Sequence, residues 1–340
     1  MTSTTVRRRA SGALVGALAA ALVLTGCGGQ QQRTPDEAGA TGDAGDCVAP
    51  AQQLTIATGN STGVYYVLGG AIADLLSSET DLRVTAAETG ASVQNIEQLV
   101  AGHYDIAFSL ADTAADAVEG TGSFSESQPV QALGRIHTNS TQVIVRSDSG
   151  ITSIADMAGK TVSTGSPKSG TEVIANRLLE SAGLDPETDV SAQRLDLASS
   201  VDGLRNGNIQ AIFWSGGLPT PNITELFTTD AGSVEFIDIT PQLEGMQEFS
   251  AVYEEGTIPA ETYGLDEDVP TIIVPNMLLV RDDLDDATAC AIASTVWGNV
   301  DRLEQVHSAA GEFDPATAVK TDPVPLSPGA ERAFEELGGN

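Results

Sequence analysis

The sequence is poor in the residues that most catalytic and metal centres need. It contains three cysteines and three histidines in 340 residues, and none of them stands at a metal-ligand or C-x-x-C spacing. We therefore expect no catalytic residue, no bound metal and no other cofactor, and the sequence does not favour an enzyme.

Basic residues are also scarce. Lysine and arginine together number 16 against 47 aspartates and glutamates, which gives a formal net charge of −31. A chain this acidic repels phosphates, so we expect no nucleic-acid partner and no direct contact with anionic lipid. The net charge of the chain does not determine whether a small ligand is positive or negative, because the electric field inside a pocket depends on the few groups that line it. A cationic ligand stays an alternative at this point.

The first residues have the pattern of an export signal. In the predicted signal peptide, residues 1–26, three arginines at 7–9 precede an apolar core at 13–24 that is short for a membrane span. Leu24-Thr25-Gly26-Cys27 resembles the bacterial lipoprotein box, in which the cysteine is acylated. An ordinary signal peptide with a chance cysteine is the alternative. On the lipoprotein interpretation, the protein is held by lipid at the outer face of the cytoplasmic membrane.

Residues 27–46 contain no aliphatic side chain larger than alanine. Such a segment cannot bury a core, and we predict a flexible tether. The folded part then runs from about residue 47 to 340, a length suited to two domains. Cys47 and Cys290 lie outside the cell on this interpretation, so they either form a disulfide or remain two separate buried thiols.

The stretch from Leu54 to Leu76 organises the rest of the chain. Leu54–Ala57 is a short apolar strand, Gly59–Gly63 a polar loop, and an apolar helical stripe follows. N–H groups in the first turn of a helix have no partner inside it, so this arrangement suits an anion. Tyr65 and Tyr66 stand on that first turn. The alternative is an ordinary βα unit without a ligand.

Further polar loops follow other predicted strands. In open α/β sheets the ligand lies at the carboxyl ends of strands, so we expect these loops to converge. Asp112 either caps its helix or touches the ligand, Lys168 is either a ligand contact or a solvated side chain, and Trp214 either lines the pocket or packs in the core. The loops are 58–66, 88–95 and 109–112 in the first half, and 165–171 and 215–221 in the second.

Two strands are predicted to cross between the domains, at 141–146 and 271–280. Pro275 argues against regular pairing in the second strand, because proline lacks a backbone donor. Two long helical segments are predicted to close the chain, at 286–308 and 328–337.

In order and spacing, these motifs resemble the TAXI group of extracytoplasmic solute-binding proteins, which serve TRAP-type secondary transporters. The resemblance covers nearly all of the predicted folded part. It rests on Ala57-Thr58-Gly59 through Tyr65-Tyr66 and Leu68-Gly69-Gly70, Glu88-Thr89-Gly90-Ala91-Ser92 with Asn95, Asp105-Ile106-Ala107-Phe108, Gly165-Ser166 with Ser169-Gly170-Thr171-Glu172, Gly217-Leu218-Pro219-Thr220-Pro221, and Pro325-Leu326 with Pro328-Gly329-Ala330-Glu331.

The resemblance implies a bilobed α/β fold of the type II periplasmic-binding-protein kind. Two βα domains are joined by two crossing strands, with a ligand cleft between them. Residues 47–147 and 272–340 would form lobe 1, and residues 148–271 lobe 2. The implied protein is a monomer without catalytic activity that delivers glutamate, glutamine or a 2-oxo-dicarboxylate to a TRAP membrane permease. A binding protein of the same fold that serves an ATP-driven importer or a sensor kinase is the alternative.

The resemblance also implies a set of ligand contacts. The sequence departs from the family at Leu110, where a polar glutamine is frequent, and at Ser327, where histidine is frequent. The role of Arg135, the nearest arginine to the predicted cleft, stays open between ligand contact and packing at the hinge. The implied contacts are Thr58, Asn60, Ser61, Thr62, Tyr65, Ser92, Asn95, Ser166, Ser169, Gly170 and Thr171. Trp214, at the end of the strand predicted at 209–214, completes the predicted set of ligand contacts from its position alone.

Overall fold

A computed structural model of the protein describes residues 47–338. The predicted signal peptide, the tether and Cys27 lie outside these residues. Within the described range the strands are β1 (Gln53–Ala57), β2 (Arg83–Ala87), β3 (Ile106–Leu110), β4 (Val130–Arg146), β5 (Thr161–Ser163), β6 (Ser191–Gln193), β7 (Ala211–Gly216), β8 (Val234–Phe236), β9 (Glu254–Ile258) and β10 (Val269–Arg281).

The α-helices of the same range surround these strands. They are α1 (Val64–Glu79), α2 (Ser92–Val100), α3 (Ala111–Glu119), α4 (Gly170–Ser181), α5 (Leu197–Arg205), α6 (Pro221–Thr229), α7 (Leu243–Phe249), α8 (Ala260–Tyr263), α9 (Asp286–Trp297), α10 (Val300–Glu304), α11 (Pro315–Ala318) and α12 (Pro328–Leu337). Three short 3₁₀ helices lie at Ile154–Met157, Thr240–Gln242 and Ser308–Glu312.

All the strands join one mixed sheet in the order β2-β1-β3-β10-β4-β7-β5-β6, with β8 paired to β4 and β9 to β10. The long strands β4 and β10 run antiparallel to each other through its centre. One half of β10 pairs with β3 and the other half with β9. The second half of β4 pairs with β7. Because β4 and β10 each pass from one group of strands to the other, the fold is bilobed.

The crossing strands differ in detail from the prediction. The strand predicted at 141–146 is the second half of the 17-residue β4. The part of β4 before residue 141 carries Gly134 and a polar run, Thr138–Ser140, and was not predicted as a strand. Pro275 pairs with Thr138, and the register shifts between Pro275 and Met277. The predicted irregularity at the proline is therefore confirmed.

The single helix predicted at 286–308 is wrong. Helix α9 ends at Trp297, where the N–H of Gly298 bonds back to Ser294 and Val296, and α10 begins at Val300. Glycine at this end is disfavoured in a continuous helix and leaves room for the turn. The helix predicted at 328–337 is α12 and is confirmed. No helix in the described part of the chain has the length and apolar character of a membrane span.

Each group of strands has its own apolar core. One core packs α1, α9 and α12 around residues such as Leu68 and Phe334. Another packs α4 against β7 around Leu178 and Phe213. Phe213 is buried in this second core, whereas its neighbour Trp214 is half-buried.

Cys47 and Cys290 form a disulfide in the structure, with 5.0 Å between their Cα atoms. Cys290 is a fully buried residue of α9. The bridge therefore fastens the beginning of the described chain to the core beneath α1, α9 and α12, across 243 residues of sequence.

Candidate functional site

A cleft lies between the two lobes, at the carboxyl ends of strands from both. It holds about 470 Å³ of atom-free space, part of it open to solvent. The lining residues are Gly59, Asn60, Gly63, Val64, Tyr65, Gly90, Ala91, Ser92, Leu110, Asn139, Ser166, Ser169, Gly170, Thr171, Trp214, Ser215, Gly216 and Gly217.

Three helices begin at this cleft. Val64, Ser92 and Gly170 are the first residues of α1, α2 and α4, and all three line it. Their backbone N–H groups meet no acceptor within residues 47–338. Each helix therefore presents the positive end of its dipole and unpaired donors to the same space. None of the lining residues in the described part carries a charged side chain.

Two thirds of the predicted ligand contacts line this cleft, and four residues do not. The contacts that line it are Asn60, Tyr65, Ser92, Ser166, Ser169, Gly170, Thr171 and Trp214. Leu110, the predicted departure from the family, lines it as well. Direct contact between these residues and a ligand stays a prediction.

The four others shape the loops that carry the lining. The Thr58 hydroxyl is buried and donates to the carbonyl of Ala87 at 2.6 Å. Asn95 is fully buried, and its amide donates to the carbonyl of Thr58 at 2.7 Å and to that of Phe108 at 2.8 Å. These bonds tie together the ends of β1, β2 and β3. Ser61 is exposed and Thr62 is half-buried, both outside the lining.

Tyr65 anchors a buried polar network behind the cleft. Its hydroxyl donates to the Asn276 side-chain oxygen, so it is already occupied. The Asn276 amide donates to the Asn139 side-chain oxygen at 2.9 Å and to the carbonyl of His137 at 2.8 Å. Burial raises the pKa of the Tyr65 hydroxyl, which therefore stays neutral. The network fixes Asn139 at the cleft wall.

The sequence reasoning missed Asn139, and it placed Ser215 in the converging loop 215–221 without naming it as a ligand contact. Asn139 belongs to the polar run inside β4, whose burial depends on β7 and β10, far away in sequence. Ser215 is the next-to-last residue of β7, directly after the predicted Trp214. A polar residue at the carboxyl end of a predicted strand was the available signal for Ser215.

Three buried hydroxyls, at the start of α4 and the end of β7, each accept one hydrogen bond from the protein. Ser169 Oγ accepts the N–H of Glu172 at 3.0 Å, and Thr171 Oγ1 accepts the N–H of Ser215 at 3.2 Å. Ser215 Oγ accepts the Asn139 amide at 3.4 Å. Each hydroxyl keeps its proton for donation, and none has an acceptor for it within the described residues. They therefore face the cleft as hydrogen-bond donors.

The lobes touch each other around the cleft. Ser166 Oγ donates to Asn60 Oδ1 at 3.3 Å, and the N–H of Gln94 donates to the carbonyl of Lys168 at 3.0 Å. The Lys168 ammonium lies 2.8 Å from Glu97 in an exposed ion pair. Lys168 therefore bridges the lobes at the surface and does not line the cleft. Arg135 is half-buried and also outside the lining.

Helix α4 starts in tight contact with the opposite lobe. A Cβ atom added to Gly170 would lie 2.4 Å from Leu110 Cδ1 and 2.7 Å from Ser92 Oγ. Only glycine allows this approach. The structure therefore has the lobes closed on the cleft.

A buried ion cluster joins the lobes behind the cleft. Arg177 of α4 lies 3.0 Å from Asp112 and 2.6 Å from Asp116, both in α3, and donates to the Tyr253 hydroxyl at 3.1 Å. Tyr253 in turn donates to Asp112. Burial raises the pKa of the Asp112 carboxyl, against the opposing effect of Arg177. Asp112 therefore neither caps its helix by its side chain nor lines the cleft.

His137 is buried beside the network of Tyr65. Its ring stands edge-on to Tyr65 and stacks on Phe313, and neither ring nitrogen has a hydrogen-bond partner within the described residues. Burial, helped by the nearby His307, lowers the pKa of His137 to about 3. The ring is therefore neutral at physiological pH.

Comparison with known proteins supports this architecture. Among solved structures, the binding protein component of an ABC phosphonate transporter from Pseudomonas aeruginosa is 14% identical, with a TM-score of 0.51 over 85% of this chain and 95% of that chain. A protein from Bordetella bronchiseptica RB50 is 20% identical, with a TM-score of 0.50 over 85% of this chain and 89% of that chain. A Xanthomonas citri protein solved with ATP is 15% identical, with a TM-score of 0.50 over 84% and 95%.

At these identities the likeness concerns the fold alone. The model of the NMT1-like family matches residues 56–338, which span both lobes and the cleft. The chain therefore belongs to the NMT1-like family and has the bilobed α/β fold of periplasmic binding proteins.

Proposed function

We propose that the protein is the extracytoplasmic solute-binding subunit of a TRAP-type secondary transporter of the TAXI group. It captures a small solute that bears a carboxylate and delivers it to the membrane permease. The protein has no catalytic activity of its own. The observation that carries the proposal is the cleft in which three helix N-termini and three donor hydroxyls meet.

These groups fit a carboxylate by their chemistry. A carboxylate has only acceptors, and unpaired N–H groups at helix ends are established anion sites. A hydrogen bond to a charged group is worth about 1.5–3 kcal/mol, so a few of them bring a small acid into the micromolar range.

Hinge closure supplies the capture step. The lobe boundaries that we propose are residues 47–147 with 272–340 for lobe 1 and residues 148–271 for lobe 2. The crossing strands β4 and β10 would flex between them. Contacts such as Ser166 with Asn60 form only when the lobes meet, so the solute and these contacts stabilise the closed form together.

The test is a thermal-shift screen of the purified protein against amino acids, dicarboxylates and oxo-acids. Glutamate, glutamine and 2-oxoglutarate belong in the first panel because of the resemblance to the TAXI group. A solute at 100 times its dissociation constant adds about 2.7 kcal/mol to the free energy of unfolding. We expect a shift with an acid. The absence of a shift with any solute of a wide panel would refute the proposal.

The second candidate is a binding protein for an ATP-driven importer. The fold shared with the phosphonate-transporter component from Pseudomonas aeruginosa favours it. The third candidate is a binding protein of the same fold that delivers its solute signal to a sensor kinase. Uptake of the bound solute into vesicles separates the first two. Uptake that follows an ion gradient without ATP supports the TRAP assignment, and uptake that needs ATP supports the importer.

We also propose that a lipid on Cys27 holds the protein at the outer face of the cytoplasmic membrane. The Cys27→Ser variant should lose incorporation of labelled palmitate and leave the membrane fraction. A variant that stays lipidated and membrane-bound would contradict this anchor.

A further inference from the structure

The cleft also restricts the class of solute, if the proposed function holds. We propose that the solute is a monoanion: one acidic group, no amino group, and an uncharged remainder whose polar atoms are hydrogen-bond acceptors. This is narrower than the solutes that the TAXI resemblance implies, since it disfavours glutamate and 2-oxo-dicarboxylates.

The first argument concerns the absence of a partner for a cation. No residue of the described chain that lines the cleft is an aspartate or a glutamate. Asp112, behind the wall, is committed to Arg177 and Tyr253. A buried ammonium without a counter-charge is costly, because its desolvation is not repaid. A solute with an amino group therefore has no favourable position for it.

The second argument concerns hydrogen-bond polarity. The oxygens of Ser169, Thr171 and Ser215 each accept one bond from the protein, and their protons have no acceptor within the described residues. Asn60 Oδ1 likewise accepts from Ser166, which leaves the Asn60 amide as a donor. An ammonium has donors only, so it would leave these hydroxyl protons and the Asn60 amide without an acceptor. A carboxylate or a keto oxygen matches them.

The third argument concerns the number of charges. Each helix N-terminus acts as roughly half a positive charge, so α1, α2 and α4 offset little more than one negative charge. No arginine or lysine of the described residues lines the cleft to offset a second one. The rest of the wall is apolar, with Val64, Leu110 and the Trp214 ring. This part suits an uncharged carbon chain.

A matched series of five-carbon solutes tests the proposal by isothermal titration calorimetry on the purified full chain. The reference is 2-oxopentanoate. Compared with it, 2-oxoglutarate adds a second carboxylate, norvaline replaces the keto group by an amine, and glutamate does both. The ketone 2-pentanone lacks the acid. We expect each of these four to bind at least tenfold more weakly than 2-oxopentanoate.

The outcomes separate the inference from the function on which it rests. Equal or tighter binding of 2-oxoglutarate, norvaline, glutamate or 2-pentanone overturns the monoanion proposal and leaves a solute-binding protein. If none of the five binds, the charge of the solute found in the thermal-shift screen decides, and any cation, zwitterion or dianion overturns the proposal. If no solute binds at all, both the inference and the proposed function fail.

A charge-change variant gives an independent test. Asn60→Asp places a carboxylate in the cleft at nearly constant shape, and it keeps an acceptor for Ser166. We expect binding of 2-oxopentanoate to weaken at least tenfold while the melting temperature of the unliganded protein is unchanged. Asn208→Asp, at an exposed position of lobe 2, adds the same charge outside the cleft and serves as the control. Equal effects of the two variants would contradict the proposal.

Discussion

The cleft and the ion cluster behind it are two polar regions between the same lobes, and they are built in opposite ways. The cleft has no charged side chain among the described residues, and the hydroxyls of Ser169, Thr171 and Ser215 have no acceptor for their protons there. In the cluster, Arg177 is surrounded by Asp112, Asp116 and Tyr253, and both carboxyl groups contact its guanidinium. Paired charges give nothing to a solute but link α3 to α4. Unpaired neutral donors hold the lobes weakly but are available to a solute.

The largest effect is expected when this pairing is broken. Arg177→Met leaves Asp112 and Asp116 buried without a cation, which should cost about 3–5 kcal/mol in the free energy of unfolding. Urea unfolding measures it. The control is Arg205→Met, whose ion pairs with Asp230 and Glu225 lie at the surface, where about 1 kcal/mol or less is expected. Losses of similar size in both variants would mean that the cluster does not hold the fold.

His137 is a buried polar residue without a hydrogen-bond partner in the cleft or in the ion cluster, and its effect on the free energy of unfolding depends on pH. The unfolded chain binds a proton at this residue near pH 6.5, whereas the folded protein binds it only near pH 3. Stability is therefore fully present above pH 6.5 and falls on acidification towards pH 3. Between pH 7 and 4.5 this single group should remove about 2.5 kcal/mol.

His137→Leu should flatten that part of the pH profile, measured by urea unfolding at each pH. His103→Leu is the control, because His103 is exposed. If the slope of the His137→Leu profile equals that of the parent, the buried ring is not the source of the acid sensitivity.

The donors of the cleft are tested by Thr171→Val, which removes one hydroxyl and keeps the side-chain shape. Binding of the solute identified by the screen should weaken by about one to two decades, since one charge-assisted bond is worth about 1.5–3 kcal/mol. Thr228→Val, on the exposed face of α6, is the control. Affinity unchanged by the Thr171 substitution, measured by calorimetry, would remove this residue from the site.

The smallest expected effect is the difference in the free energy of unfolding between Tyr65→Phe and Tyr66→Phe. Tyr65→Phe leaves the buried oxygen of Asn276 without its donor, at a cost of about 1–3 kcal/mol in unfolding free energy. Tyr66 is 38% exposed, and Tyr66→Phe should change stability by about 0.5 kcal/mol or less. Denaturant unfolding of both variants gives the comparison. A larger loss for Tyr66 would contradict the network drawn around Asn276.

The local units of the fold were predictable, because their signals lie within a few residues. The strand, loop and helix from Leu54 to Leu76 correspond to β1 and α1, and the loops expected at the strand ends do meet. The hydroxyl-rich loop before α4 was identified for the same reason. Sequence alone therefore indicated both sides of the cleft.

What sequence could not give depends on contacts between distant segments. Asn139 is buried because β4 is paired with β7 and β10 in the sheet. These strands are distant in sequence, so no local pattern predicts the burial. Arg177 and Asp112 are 65 residues apart, so their pairing has no periodic signal. Asn95 was predicted as a ligand contact from the resemblance to the TAXI group, but its amide donates to the carbonyls of Thr58 and Phe108 and its oxygen accepts from Thr89.

The disulfide between Cys47 and Cys290 has a mechanical consequence. The chain enters the fold at Cys47 and is fixed at once to α9, which packs with α1 and α12. If the residues before Cys47 are the membrane tether, the lobe that contains α1, α9 and α12 is held at the membrane and the other lobe moves relative to it. A force on the tether would then act on the disulfide and on the core that it joins. It would not act directly on the crossing strands β4 and β10, which connect the two lobes.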